Sequence, residues 1–387
     1  MSFLRAARAA LAGQSGAHWI LAAMAVVLAG IFISCGGSSH PSVAPNHSAY
    51  VTLPANGSVA LLHIDGATGA MSIGSQTPQV EGNSPQGLAL LPSKKFLYAV
   101  NSRANTISIF NVGSDGALTL SGIPVPAGSG PDNAVIDPSG KYLLVTNNFS
   151  NDISVFSIDS TSGALSEVSG SPFYANSDPS EILITSSGQF VYVTNPGIGM
   201  VTGFSFSNGV LMPVPNTPTF SGLGAIGLAV DSGERFLYVA NASAPNPSVP
   251  TIGNISGFNI DPNTGALTPI IGSPFTSSQG NGPTALTVDP GGRFVYAITA
   301  GSSFSIWCFT ITPTNGQLTP VTNSPFSLTA GGLFALIDPS GNYLYVGTAT
   351  GKGVAGFTYN QSTGVPTAIV DSPFVTGTPP GKMVLSE

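Results

Sequence analysis

The chain has 387 residues, of which 7% are charged while 48 are glycine and 32 are proline, and its 17 acidic side chains outnumber 10 basic ones for a net charge of −7. Ordinary globular domains carry roughly a quarter charged residues, so hydroxyls, amides and turns must supply the polar surface here. The acidic balance excludes a nucleic-acid-binding role, which needs clustered Lys and Arg against phosphate.

At the N-terminus, Arg5 and Arg8 precede an uncharged apolar stretch from Trp19 to Ile33. This is the plan of a secretory signal peptide, and the stretch is short for a membrane span, which takes about 20 residues. It ends at Phe32-Ile33-Ser34-Cys35-Gly36-Gly37, which resembles the lipobox of bacterial lipoproteins. The resemblance implies cleavage before Cys35, a lipid on that cysteine, and a mature chain held on the bacterial cell envelope, facing the periplasm or the exterior. Simple cleavage near Ser34, or an uncleaved anchor, is the alternative. The chain therefore divides into a signal peptide over residues 1–34, a Gly/Ser/Pro-rich mobile tether over 35–48, and a repeat domain over 49–387. Losing Arg5 and Arg8 leaves 8 basic against 17 acidic side chains, and 8 − 17 = −9.

The repeat domain spells one phrase seven times, as Tyr50-Val51-Thr52-Leu53, Tyr98-Ala99-Val100-Asn101, Leu144-Val145-Thr146-Asn147, Tyr192-Val193-Thr194-Asn195, Tyr238-Val239-Ala240-Asn241, Tyr296-Ala297-Ile298-Thr299 and Tyr345-Val346-Gly347-Thr348. Their starts lie 48, 46, 48, 46, 58 and 49 residues apart, the period of one four-stranded sheet per repeat in a propeller. Between Pro131 and Phe173 the four strands are legible. An apolar run Ala134-Val135-Ile136 ends at the turn Asp137-Pro138-Ser139-Gly140. A second run, Tyr142 to Thr146, breaks at Asn147-Asn148. The third, Ile153 to Ile158, alternates with period two, and the fourth starts at Ala164-Leu165 and closes at Gly170-Ser171-Pro172-Phe173. No sustained helical period occurs, so an all-β fold is predicted.

The first repeat begins at Tyr50 on the second strand type, and the missing strand is supplied by Pro380-Gly381-Lys382-Met383-Val384-Leu385 at the other end. A seven-bladed β-propeller of four-stranded blades follows, closed where a C-terminal innermost strand joins three N-terminal ones. Such a clasp removes open sheet edges. An open solenoid would instead leave both end repeats incomplete, where capped ends are usual.

Asp-Pro-Ser-Gly, Thr-Gly-Ala-Leu and the tyrosine phrase, over nearly all of Tyr50 to Leu385, resemble the lactonase-like seven-bladed propellers, which include 6-phosphogluconolactonase and carboxymuconate cyclase, and the YVTN propellers of microbial surfaces. The resemblance implies a propeller and, as an activity, lactone hydrolysis or lactone-forming cyclisation. Lactonase-like enzymes carry Gly-Pro-Arg-His entering an innermost strand and a Glu after the next. Here the segments read Gly130-Pro131-Asp132-Asn133 and Val145-Thr146-Asn147-Asn148. Asp132 and Asn133 replace the basic pair, and Asn148 replaces the acid.

Other chemistry is sparse. Of the four histidines only His63 belongs to the propeller, on a third strand away from the ring, so a histidine-based triad has no second candidate. Cys308 lies in a strand-like run and is read as a buried thiol. Asp137, Asp231, Asp289 and Asp338 recur once per blade and are read as turn residues rather than calcium ligands. We predict no metal and no cofactor. Aligned with Asn133, the innermost strands offer Lys382, Gly87, Asn133, Glu181, Gly227, Ala285 and Phe334 at the channel mouth, polar on one arc and apolar on the other. Loops on the same face add Arg103, Asn148, Asp152 and Lys352, with Asp132 and Asp178 beside the ring. An insertion between Asn241 and Asn254 lengthens one loop there. Two functions follow. One is a non-catalytic, lipid-anchored scaffold binding a glycan, peptide or protein partner through Asn133, Glu181, Lys382, Asp132, Asn148 and Asp152. The other is a lactone hydrolase or cyclase acting on a sugar lactone, with Glu181 as general base and Arg103 or Lys382 holding the substrate.

Overall fold

Alternating apolar runs separated by turn residues bury their apolar faces only by pairing with each other, and they do so as sheets. A computed structural model describes residues 47–78, 84–242, 253–276, 282–300 and 304–386. These form seven antiparallel sheets with the strands of each laid side by side. The protein is a seven-bladed β-propeller, and one 3-10 turn at Pro54–Asn56 is the only helical element among the described residues. Cys35 and the loop insertion lie outside the described residues.

In blade 3 the strands are Pro131–Ile136, Tyr142–Asn147, Asp152–Ile158 and Leu165–Glu167, from the channel outward. The second strands, such as Phe190–Asn195, are buried throughout, which explains their near-continuous apolar composition. One detail departs from expectation. The Ser-Pro-Phe tail does not simply close the fourth strand; Phe173–Tyr174 forms a separate short strand that returns to the third. In the gap the Ser171 hydroxyl accepts the Val155 N–H at 2.9 Å, and Ser273, Ser324 and Ser372 do the same for Gly257, Cys308 and Gly356. The hydroxyl takes the place of a ladder carbonyl, so the split leaves no orphaned amide on the third strand.

The ring closes at blade 1, whose sheet places Met383–Ser386 beside His47–Leu53, followed by Ser58–Ile64 and Met71–Gln76. Val51 faces Met383 and Ala49 faces Leu385. Beyond the strand proper, Thr52 N–H donates to the Lys382 carbonyl and Gly381 N–H to the Thr52 carbonyl, both at 2.9 Å. The ladder runs one residue past the expected Leu385, and its partner strand starts at His47, so His47 and Ser48 belong to the sheet rather than to the tether.

Blades are tied to each other by the tyrosine phrase. Tyr50, Tyr98, Tyr192, Tyr238, Tyr296 and Tyr345 are fully buried. Each hydroxyl donates to a glycine carbonyl in the third-to-fourth-strand turn of the next blade: Gly116, Gly163, Gly265, Gly316, Gly364 and, across the seam, Gly69. In all of these blades but the first, which has Ser48 there, the residue two positions earlier is aromatic and packs on the same turn. At Gly265, with φ +72°, a Cβ would lie 2.4 Å from the Phe190 ring, so only glycine fits between them. Burial pushes the Tyr98, Tyr192 and Tyr238 phenols well above their ordinary 10.0.

The recurrent aspartates hold turns. Asp231 accepts the Arg235 and Phe236 amides at 2.6 and 2.8 Å and pairs with the Arg235 guanidinium at 3.0 Å. Asp289 does the same with Arg293 and Phe294. His63 is exposed on a third strand.

Candidate functional site

The innermost strands enter the channel through a short segment that begins with proline at Pro85, Pro131, Pro179, Pro283 and Pro380. Proline suits a strand start because the ladder asks no N–H of it. Just after the entry, blades 2, 3, 5, 6 and 7 slip register by one residue against their second strands. Such a bulge re-aims side chains. Two consecutive residues face the cavity at its mouth in six blades, and Gln86 alone does so in blade 2. The ring of Asn133 lines it with Glu181, Gly227, Ala285, Phe334 and Lys382, and a second ring adds Gln86, Asp132, Ser180, Ile226, Thr284, Leu333 and Gly381. Reading one mouth residue per blade missed Gln86, Ser180 and Thr284; the extra residue between each entry proline and the start of alternation was their only signal.

The cavity has a volume of about 600 Å³, within the range for a small-molecule site. Its wall is uneven. Blades 5 to 7 present Ile226, Leu228, Leu286, Leu333 and Phe334, whereas blades 1, 3 and 4 present Lys382, Asp132, Asn133, Ser180 and Glu181. On the polar arc, Lys382 Nζ sits 2.6 and 2.8 Å from the two Glu181 carboxylate oxygens. Asn133 Nδ2 donates to Glu181 Oε2 at 2.8 Å, and the Asn133 side-chain oxygen accepts the Ala134 N–H at 2.8 Å, which fixes the amide's orientation. Lys382 belongs to blade 1 and Glu181 to blade 4, so this pair reaches past blades 2 and 3. Gly87, which stands between them in the ring, offers no side chain in the way; a Cβ there would lie 2.7 Å from the Asn133 Cα. Asn133, Glu181 and Lys382 also line a second cavity of about 390 Å³ lower in the channel. The trio is thus the wall between the two.

A threonine holds each member of the trio. Thr52, Thr146 and Thr194, the third letters of the phrase in blades 1, 3 and 4, are fully buried. Their hydroxyls accept the backbone N–H of Lys382 at 2.8 Å, Asn133 at 3.2 Å and Glu181 at 3.0 Å. Thr146 and Thr52 also donate to the carbonyls of Ser180 and Gln86 in the following blades, at 2.8 and 3.2 Å. The remaining blades have Val100, Ala240, Ile298 and Gly347 at this letter and an uncharged, small or apolar mouth residue beside it.

Of the residues singled out from the sequence, the structure brings together Lys382, Glu181, Asn133 and Asp132, the last accepting the Ser180 hydroxyl at 2.7 Å. Arg103 and Lys352 are exposed and do not line the cavity. Asn148 donates its amide to Asp178, whose other oxygen accepts the Gly197 N–H at 3.2 Å; these belong to the rim. Asp152 closes a hairpin, taking the Asn147 amide at 2.7 Å and the Ser150 hydroxyl at 3.1 Å, so it acts in the scaffold. Among the described residues no cluster of His, Cys, Asp or Glu is placed to hold a metal.

The model of the seven-bladed lactonase propellers matches residues 36–177, 168–277 and 252–380. The chain belongs to this lactonase family. No curated protein matches it significantly. Among solved structures, a Bacteroides fragilis protein assigned as a 6-phosphogluconolactonase is 21% identical, with a TM-score of 0.73 over 90% of this chain and 99% of that one. The periplasmic gluconolactonase of Pseudomonas aeruginosa is 19% identical, with a TM-score of 0.72 over 89% and 99%. At these identities the lactonase-family propellers share the fold, and their names speak only for themselves.

Proposed function

We infer that the chain is a binding member of the lactonase-like propellers, exported and lipid-anchored on a bacterial envelope, which takes a small polar ligand at the channel mouth without turning it over. The observation that carries this reading is the state of Glu181. Both its oxygens already accept hydrogen bonds, from Lys382 and Asn133. Three of the carboxylate's roughly four lone-pair sites are thus taken, and Oε2 can accept a proton only after parting from Lys382 or Asn133; the other acid in the cavity, Asp132, is engaged by Ser180. A general base needs its lone pair aimed at the proton it removes. The mixed wall suits binding, with an ammonium, amides and carboxylates facing an apolar arc.

One observation favours lactone hydrolysis as a second reading. An ammonium and a carboxylate lie together on the channel wall of a family whose solved relatives include a gluconolactonase. In that reading Lys382 turns to the substrate oxyanion and releases Glu181 as base, while Arg103 is displaced from the cavity and takes no part. The test is hydrolysis of glucono-δ-lactone and 6-phosphogluconolactone by the mature chain beside its Glu181→Gln variant. We expect no turnover by either; turnover that disappears in Glu181→Gln refutes the binding-only reading. The lipid anchor rests on Ser34-Cys35-Gly36 following an apolar stretch, and Cys35→Ala is expected to move the protein from the membrane to the soluble fraction.

A further inference from the structure

The position of Phe149 departs from the repeat in a way that names a ligand class. Phe149 lies in the loop after the second strand of blade 3, at a position where the phrases of the other six repeats are followed by Ala55, Arg103, Gly197, Ser243, Gly301 and Thr350. Its side chain is 76% exposed, yet its backbone is pinned. Asn148 N–H donates to the Gly130 carbonyl at 2.9 Å, and Phe149 and Ser150 N–H both donate to the Ser129 carbonyl, at 3.1 and 3.2 Å. The ring lies on Gly130, where a Cβ would come within 2.6 Å of it; Gly130 has φ +64° and admits no side chain there. An aromatic ring on a pinned backbone thus rests on Gly130, open to solvent, on the face of the cavity mouth but outside the residues that line the cavity. Gly130 precedes Asp132 by two residues, no more than about 7 Å of extended chain. Around it stand groups that both donate and accept hydrogen bonds in fixed orientations: Asp132 with Ser180, and Asn148 with Asp178.

We propose that the mouth of blades 3 and 4 binds an uncharged saccharide, with one face of a pyranose ring stacked on Phe149 and its hydroxyls bonded to Asp132, Ser180 and Asn148. This deepens the binding reading above and rests on it. A sugar ring offers an apolar C–H face and a rim of hydroxyls, which matches an exposed aromatic face beside carboxylates and amides. A phosphorylated sugar matches less well. Asp132, Asp178 and Glu181 stand on this arc, and Lys382 is already held by Glu181, so a phosphate would meet repulsion.

The test measures binding to the full-length protein by saturation-transfer NMR and calorimetry, with maltose, cellobiose, chitobiose and methyl β-glucopyranoside as neutral probes and 6-phosphogluconate as the anionic one. At least one neutral sugar is expected to bind. Phe149→Ala is expected to weaken it roughly tenfold, the size of one aromatic stacking contact, and Phe149→Trp to restore it, while Arg103→Ala has no effect. Because Phe149 is exposed, both variants are expected to keep the wild-type melting curve. The proposal is overturned if none of the neutral sugars binds, if Phe149→Ala leaves binding unchanged, or if 6-phosphogluconate is preferred. Binding of 6-phosphogluconate that is lost in Lys382→Met but not in Phe149→Ala would sink this inference and keep the mouth as the binding site. No binding of any probe would sink both.

Discussion

Removing a single phenolic oxygen from the belt between blades should cost measurable stability, equally within the array and across its seam. In Tyr98→Phe the ring keeps its packing, and only the 2.9 Å bond to the Gly163 carbonyl is lost. Tyr345→Phe removes the 3.0 Å bond to Gly69, which joins the last blade to the first. A neutral hydrogen bond contributes about 1 kcal/mol net, and a buried acceptor left without a partner adds to that, so each variant should lose about 1.5 kcal/mol. For a chain of this size that corresponds to a fall of about 2 °C in Tm. Urea unfolding followed by circular dichroism gives the same quantity as a midpoint shift at constant m-value. The two positions share no partners, so the double variant should lose the sum. The reasoning fails if both single variants unfold at the wild-type midpoint, because water would then satisfy those carbonyls in solution. It fails differently if only Tyr98→Phe is destabilised, because the seam would then be open and the clasp would not close the ring.

Two further predictions concern pH and the channel wall. Burial pushes the Cys308 thiol from 9.0 up to about 12, and burial raises the phenols of Tyr50, Tyr98, Tyr192 and Tyr238 above 10.0. Unfolded chains release these protons earlier than the native protein, so the unfolded state binds fewer protons above pH 9 and stability must fall as pH rises; melting curves from pH 8 to 11 should shift downward, and a flat Tm would refute the burial argument. The Lys382 to Glu181 pair spans the channel with side chains 28% and 26% exposed, so a double-mutant cycle of Lys382→Met with Glu181→Gln should give a coupling of about 1 kcal/mol. A coupling near zero would mean that the two side chains are apart in solution and that Glu181 is free to act as a base.

The fold was legible because turn chemistry and period-two alternation are local properties. Asp-Pro-Ser-Gly marks a turn wherever it occurs, and the strand missing ahead of Tyr50 has one possible replacement at Pro380 to Leu385. What escaped was set by pairing rather than by composition. The bulge that brings Asp132 to the cavity beside Asn133 is a one-residue slip against Thr146 and Asn147, and alternation downstream looks the same with or without it. The return of Phe173–Tyr174 to the third strand depends on a side-chain hydroxyl replacing a ladder carbonyl, which propensity does not encode. Arg103 and Asp152 were assigned to the channel face by their loop positions. Loop position does not fix direction, and one points to solvent while the other closes a hairpin. Phe149 stood in the sequence as one more loop residue, because its significance lies in the loop being pinned on Ser129 and Gly130.

The phrase that reveals the repeat carries two kinds of information in adjacent letters. Its tyrosine is a scaffold letter, present in six blades and spent on binding the next blade. Its third letter varies, and the variation follows the mouth. Threonine occurs in the three blades that present Lys382, Asn133 and Glu181, and in no other. The physical link is the mouth residue's own backbone amide, which in these three blades donates to the threonine hydroxyl. A threonine hydroxyl takes that amide, as in Asn133 to Thr146 at 3.2 Å, and so fixes where the polar side chain starts. Where the mouth residue is Gly87, Gly227, Ala285 or Phe334, no polar head needs aiming, and the letter is free to be Val100, Ala240, Ile298 or Gly347. A repeat protein that builds a site from a few of its blades must break its own symmetry, and here the break is made twice, once in the side chain that faces the ligand and once in the buried threonine that positions it.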